Sequence, residues 1–236
     1  MSEHKTSRGF AGAVLKLLRA GDYRLTVTGR EAISDHYHRL SFEGGGLLAA
    51  HEVHPTMWIR LWFADGDKSH QRGYTLVNPN PDADTFDIEF ALHDGIASHW
   101  ARAAQPGDTI EATVMGSKFA VPEPRPAGYI IVGDCASLPA INSLLAAIGD
   151  APAQVFLEAG CDDDKRLPVA READVTWVDR NGGALLEAVR SAACDGGEHF
   201  GWVACDSRTT RSVVKVLRED FGIPRKSIKS QAYWVA

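Results

Sequence analysis

The sequence predicts a small antiparallel β-barrel followed by an α/β domain built on a parallel sheet, within one chain of 236 residues. Three observations predict it. Up to residue 114, short runs that alternate apolar and polar residues are separated by Gly, Asp and Pro turns, which is the pattern of a small antiparallel barrel. The stretch Val121-Pro122-Glu123-Pro124-Arg125-Pro126 makes a proline-rich joint. Beyond it, apolar strands alternate with helices, which argues for an open parallel sheet with helices on both faces.

Taken in order, the barrel strands are expected at 23–28, 38–42, 57–63, 74–77, 86–92 and 109–114. The α/β part should begin with a strand at 129–132 and a helix from Leu138. Strands at 155–158 and 175–178, a helix from Ala184, a strand at 202–205 and a helix from Thr209 should follow. The expected divisions are an N-terminal segment over 1–22, a barrel domain over 23–125 and an α/β domain over 126–236. In the first of these, Phe10, Val14, Leu17 and Leu18 share one helical face beside Lys16 and Arg19. A lid helix packed on the barrel, a frayed tail and a helix lying on a membrane surface all fit such a face.

Bulk properties exclude several classes. With 44% hydrophobic and 24% charged residues, the chain can bury one large core or two modest ones. A net charge of -6 without a long lysine or arginine run leaves no electrostatic footprint for nucleic acid, which is not an expected partner. No apolar run approaches the roughly 18 residues of a membrane span, and the start of the chain lacks a signal-peptide core, so a cytoplasmic location is expected. Cys135, Cys161, Cys194 and Cys205 form no CxxC pair and are expected as reduced thiols. His36 and His38 have no carboxylate cluster near them in sequence, and Asp162-Asp163-Asp164 runs straight into Lys165 and Arg166. Neither group is expected to hold a metal ion.

Arg72-Gly73-Tyr74-Thr75 supplies what a flavin site needs. An arginine fork can grip a pair of pyrophosphate oxygens, an aromatic ring can pack against the isoalloxazine or the ribityl chain, and a hydroxyl can reach the flavin's polar edge. Strand alternation sends Arg72 and Tyr74 to one face and leaves Thr75 to the local twist. The same four residues would also suit an edge-strand surface arginine beside a core tyrosine. Downstream, the strand at 86–92 ends at His93-Asp94-Gly95-Ile96-Ala97-Ser98, where a helix bearing Trp100 begins. Its opening N–H groups, with Ser98 as an added donor, make an anion site for a pyrophosphate, although Ser98 could equally serve as a plain helix cap. Ser117 and Phe119 follow Gly116 at the end of a barrel strand, where they could border the flavin or close a tight barrel corner.

A barrel followed by an α/β domain is the layout of ferredoxin-reductase-like flavoenzymes, and the motifs resemble those of the siderophore-interacting protein family, FAD-containing ferric-siderophore reductases. The resemblance runs from about Arg24 to Trp234. It is carried by residues 72–75, by Asp87-Ile88-Glu89-Phe90-Ala91-Leu92-His93, by Gly95-Ile96-Ala97-Ser98-His99-Trp100-Ala101 and by Pro106-Gly107-Asp108. Gly133-Asp134-Cys135-Ala136-Ser137-Leu138-Pro139-Ala140, Gly201-Trp202-Val203-Ala204 and Ala232-Tyr233-Trp234 extend it. The resemblance implies FAD in the barrel, held by Arg72, Tyr74, Thr75, His93, Ile96, Ala97, Ser98, Trp100 and Ser117. Trp234 lies where the family places a terminal aromatic near the flavin, although Tyr233 and Trp234 could equally pack the final strand onto its neighbour. It also implies a ferric siderophore as substrate, with Lys118, Arg225, Lys226 and Lys229 as candidate cations for docking the anionic complex, although each also fits ordinary solubilising charge.

The departures from the family pattern fall in the α/β part. Cys135 and Ala136 replace an acidic-threonine pair, Cys205 and Asp206 replace a glycine-glutamate pair, and Gly133-Asp134-Cys135-Ala136-Ser137 has one glycine where the dinucleotide fingerprint uses three. They leave NAD(P)H open as the electron donor. This variant resembles the siderophore-interacting module fused to mycobacterial iron-siderophore ABC transporters, which implies fusion to, or association with, a transporter at the cytoplasmic face of the inner membrane. Two other uses fit the same sequence: a docking domain that binds FAD and siderophore with little turnover, and a flavin reductase.

Overall fold

A computed structural model describes residues 22–66 and 68–235; the amphipathic stretch at 10–19 lies outside the described residues. Two compact units divide between Phe119 and Ala120. No described helix is long and apolar enough to cross a membrane.

The first unit is a seven-stranded antiparallel sheet. Its strands are β1 (Asp22–Ser34), β2 (Tyr37–Glu43), β3 (Trp58–Asp65), β4 (Lys68–Thr75), β5 (Val77–Asn80), β6 (Thr85–Ala91) and β7 (Thr109–Thr113), in the order β4-β3-β7-β1-β2-β6-β5. The two outermost strands, β4 and β5, are joined by Leu76 alone. The sheet must therefore curl until its edges meet, and the Tyr74 ring on β4 lies 4.5 Å from that of Phe90 on β6. Alternation is clear on β3, where Ile59, Leu61 and Phe63 are buried between partly exposed neighbours. These residues join Leu25, Leu40, Phe42, Ile88 and Phe90 in one core. A short helix α1 (Leu47–Ala50) covers part of it, anchored by Asp84, whose carboxylate accepts N–H bonds from Gly46 (2.5 Å) and Leu48 (2.8 Å). Gly45 has to be glycine there: its φ is +60° and a Cβ would lie 2.4 Å from the Arg24 carbonyl oxygen. Helix α2 (Ile96–Ala103) follows β6.

The strand expected at 74–77 is in fact the junction of β4 and β5, broken at Leu76, whose N–H turns to the Met57 carbonyl (2.9 Å). Most of β4 escapes hydropathy because Lys68-Ser69-His70-Gln71-Arg72-Gly73 is polar on both faces, as suits an edge strand. Pro79 is tolerated in β5 for the same reason, since an edge strand has N–H positions that pair with nothing.

The second unit is an all-parallel sheet of β8 (Tyr129–Asp134), β9 (Ala153–Ala159), β10 (Val175–Asp179), β11 (Phe200–Ala204) and β12 (Ile228–Ser230), ordered β10-β9-β8-β11-β12. Its helices are α3 (Leu138–Ile148), α4 (Ala184–Ser191) and α5 (Ser207–Glu219). Every residue of β8 is buried, as expected of a central strand covered on both faces. The helix expected from Thr209 begins two residues earlier because Asp206 caps it, accepting the N–H groups of Arg208 (2.7 Å) and Thr209 (3.0 Å). The chain moves outward from β8 through β9 to β10 and then returns to β11 on the other side of β8. That reversal sets a topological switch point between β8 and β11.

Candidate functional site

In the first unit the residues expected to hold FAD gather around β4 and α2. Arg72 is exposed on the edge strand, and its Nη1–H donates only to the Gln71 carbonyl (2.8 Å); among the described residues it has no carboxylate partner. Tyr74 is half-buried with its ring against Phe90 and Phe63 (4.5 and 6.3 Å between centroids). Burial pushes its phenol well above the usual range, so it stays a hydrogen-bond donor. Thr75 is buried, paired across the strands with Trp58.

Trp100 on α2 reaches the same aromatic group, with centroids 5.7 Å from Phe63 and 6.2 Å from Phe90. Tyr74 and Trp100 thus share two neighbours, which draws the Arg72–Thr75 segment and the start of α2 to one place. Gly95 precedes α2 without a side chain to cap it, and the first helical turn carries no acidic residue. Its opening N–H groups suit an anion. Ser98 is buried, and its Oγ accepts the His93 N–H (3.1 Å), closing the loop between β6 and the helix. Ala97 is buried, whereas Ile96 is half-buried and His93 exposed. Asp94, just before Gly95, is paired with His99 (3.0 Å) and does not cap the helix. An arginine without a carboxylate partner among the described residues and the uncapped N–H groups of α2 form a donor set that fits the pyrophosphate of FAD, and the aromatic wall beside them fits its rings.

Ser117 is tied to the first residue of β3: its Oγ accepts the Trp58 N–H (3.0 Å) and lies 3.1 Å from His54 Nε2. Since Trp58 faces Thr75 across the ladder, Ser117 is carried to the end of the same motif. Lys118 is exposed beside it. In the second unit Arg225, Lys226 and Lys229 are exposed around the start of β12, with Arg225 Nη1 donating to the Ile228 carbonyl (3.0 Å).

Trp234 is held within the second unit. Its indole N–H donates to Asp134 Oδ2 (2.8 Å), its carbonyl accepts the Ser207 N–H (3.0 Å), and the Arg180 guanidinium lies 5.3 Å from its ring centroid. Asp134 ends β8 and is buried; burial pushes its carboxyl up to about 6, against the pull of Trp234, Ser137 and Arg180. Burial works against ionisation at Asp206 too, but its hydrogen bonds with Thr209 and Arg208 hold that carboxyl below the ordinary range. Burial raises the Cys135 and Cys205 thiols far above theirs, which favours the protonated form of both.

Sequence reading did not single out Asp134, Arg180 or His54. Asp134 stands in the quoted motif and could have been suspected as the charged end of an apolar strand. Nothing local marks Arg180, which meets Trp234 only through the order of the parallel strands. The acidic run Asp162-Asp163-Asp164 is spent on ion pairs with Lys165 (3.2 Å) and Arg166 (3.0 Å) and on the Gly160 N–H (2.7 Å). Among the described residues no group of three or more His, Cys, Asp or Glu is placed to hold a metal ion.

Fold and site define a two-unit flavoprotein, with a flavin barrel before a nucleotide-type α/β unit. Residues 29–116 match the siderophore-interacting FAD-binding domain, and residues 126–236 match the siderophore-interacting protein family. The chain belongs to that family, and its cofactor is FAD. It is 37% identical, over 97% of its length, to the mycobactin import ATP-binding/permease protein IrtA of Mycolicibacterium thermoresistibile, of which it covers 26%. The chain thus spans about a quarter of the length of the first curated relatives it matches. Similarity to the ferric vibriobactin reductase ViuB of Vibrio cholerae is 26% identity over 75% of this chain and 71% of that one. The solved siderophore-interacting protein SipS of Aeromonas hydrophila shares the fold with a TM-score of 0.77, at 21% identity and 92% coverage of both chains. Ferredoxin reductases of known structure share the same architecture.

Proposed function

We propose that this chain is an FAD-dependent ferric-siderophore reductase acting in the cytoplasm, as a module of, or a counterpart to, a siderophore transporter. The observation that carries the reading is the joining of an exposed, carboxylate-free Arg72 to the uncapped start of α2 through the aromatic pair Phe63 and Phe90. The likeness to a ferric vibriobactin reductase supports the reaction, and the likeness to mycobactin importers supports the setting.

Arg72 would neutralise the pyrophosphate, with the N–H groups of Ile96 and Ala97 and the Ser98 hydroxyl completing the contact. Tyr74, Thr75, His93, Trp100 and Ser117 would fix the flavin's position. When bound, FAD supplies the electrons that turn Fe(III) into Fe(II), one per iron, and the siderophore's hard oxygen donors hold the less charged ion more weakly. No side chain is given a proton-transfer role. Lys118, Arg225, Lys226 and Lys229 would draw in the anionic ferric complex.

The test is anaerobic mixing of the photoreduced, FAD-loaded chain with ferric mycobactin-type, catecholate and hydroxamate siderophores, with a ferrous chelator present. Fe(II) formed together with flavin reoxidation supports the reductase. Siderophore binding without Fe(II) indicates a docking domain, and neither response indicates a flavin reductase.

A further inference from the structure

In an open parallel sheet a dinucleotide lies beyond the carboxyl ends of the strands at the switch point, with its pyrophosphate on the N–H groups that open the adjoining helix. Here that crevice is the one between β8 and β11, and the chain fills it with its own groups.

On the β8 side, Asp134 Oδ1 accepts the N–H groups of Ala136 (3.0 Å) and Ser137 (3.2 Å), and Ser137 Oγ accepts the Asp134 N–H (2.9 Å). Pro139, at the start of α3, brings no N–H at all. The turn is also packed shut, since a Cβ on Gly133 would fall 2.3 Å from Ser137 Oγ and 2.5 Å from Ile141 Cδ1. Asp206 Oδ1 treats the start of α5 in the same way, taking the N–H groups of Arg208 and Thr209. The start of α5 is therefore capped by a carboxylate of this chain, and a second carboxylate takes the N–H groups of the turn that leads into α3. An incoming pyrophosphate would meet two carboxylates where it needs donors.

Trp234 closes what remains. It forms a parallel bridge with Asp206, gives its indole N–H to Asp134, accepts the Ser207 N–H and lies under Arg180, which is itself paired with Glu158 (2.6 Å). One residue thus ties the end of β8 to the turn after β11 and to the residue that follows β10.

We infer that the switch-point crevice is bolted by Trp234, held by Asp134 and Arg180, so that a nicotinamide dinucleotide enters only when Trp234 leaves. The residues present do not fit that nucleotide in the bolted state, and reducing equivalents must then come from a donor that does not use this crevice.

The test is equilibrium binding of NADP+ and NAD+ to the FAD-loaded full chain by titration calorimetry, comparing wild type, Trp234→Ala and Trp234→Phe at matched FAD content. Trp234→Phe keeps an aromatic ring for Arg180 but removes the N–H that reaches Asp134, together with part of the ring area. The wild type should show no saturation below the millimolar range, and Trp234→Ala should bind at least tenfold tighter. A low-micromolar dissociation constant for the wild type would overturn the inference. Unchanged weak binding in both variants would overturn it too, because the crevice would then be shut by something other than the bolt. If Trp234→Ala does not fold, Trp234→Phe decides alone: tightening of threefold or more upholds the bolt, and wild-type affinity removes it. No ferric complex enters the measurement, so its outcome is separate from that of the proposed reaction.

Discussion

At position 72 a guanidinium stands on the exposed side of an edge strand with a main-chain carbonyl as its only polar contact among the described residues. A charge-assisted, forked contact to a pyrophosphate is worth about 1.5–3 kcal/mol. Arg72→Ala should therefore weaken FAD binding by roughly one to two decades in a titration of the apoprotein. Full affinity in that variant would place the cofactor elsewhere. A different arginine shows what a committed one looks like: Arg39 grips Glu89 through Nε (3.0 Å) and Nη2 (2.6 Å), while Tyr37 donates to the other carboxylate oxygen (2.9 Å). Glu89 is buried, so its loss takes away the main partner of Arg39, which keeps the exposed Glu31 (3.2 Å). Glu89→Ala should cost the barrel about 3 kcal/mol, measured by denaturant unfolding, and a loss below about 1 kcal/mol would show the network to be incidental. The Arg72 motif was legible in the sequence because the residue types carry the chemistry. The seat of Tyr74 on Phe90 was not, since it depends on how the sheet curls.

Among the elements, α2 and α3 both follow a strand of their sheet and differ in the turn that leads into them. Gly95 gives α2 no cap, whereas Asp134 turns its carboxylate back onto Ala136 and Ser137, the turn just before α3. That carboxylate is burdened by its burial, which carries its titration from 3.8 to about 6. A carboxyl raised on folding contributes stability that is complete below its unfolded value and is lost as pH rises through its folded value. The window is therefore pH 4 to 6, and the loss amounts to about 3 kcal/mol. Relative to wild type, Asp134→Asn should gain stability between pH 4 and pH 7, followed by unfolding of the second unit in urea. A constant difference across that range would mean that Asp134 titrates normally. Hydrophobic periodicity revealed most of the elements but missed most of β4, whose two faces are both polar, and the short elements α1, of four residues, and β12, of three. The starts of the α3 and α4 helices were legible, while α5 began early because its cap lies outside the apolar pattern. The bolt at Trp234 was not legible, because Asp134, Arg180 and Trp234 meet only after five strands have been ordered.

For the whole molecule, the proposed cofactor seat belongs to the barrel unit and the inferred closed switch point to the α/β unit, in a chain that spans about a quarter of its importer relatives. In the proposed reaction, electrons pass from FAD on this chain to iron inside a siderophore. A ferric siderophore and its gallium(III) counterpart have nearly the same size and charge, but only the iron complex can accept an electron at these potentials. The direct measurement is anaerobic stopped-flow mixing of the photoreduced chain with each complex in turn, following the flavin absorbance. Rapid reoxidation by the ferric complex is expected, with two irons reduced per flavin, and no reoxidation by the gallium complex, which should instead compete with the ferric one. Flavin that stays reduced in the presence of every ferric siderophore tried, or that reoxidises at a rate independent of siderophore concentration, would contradict it.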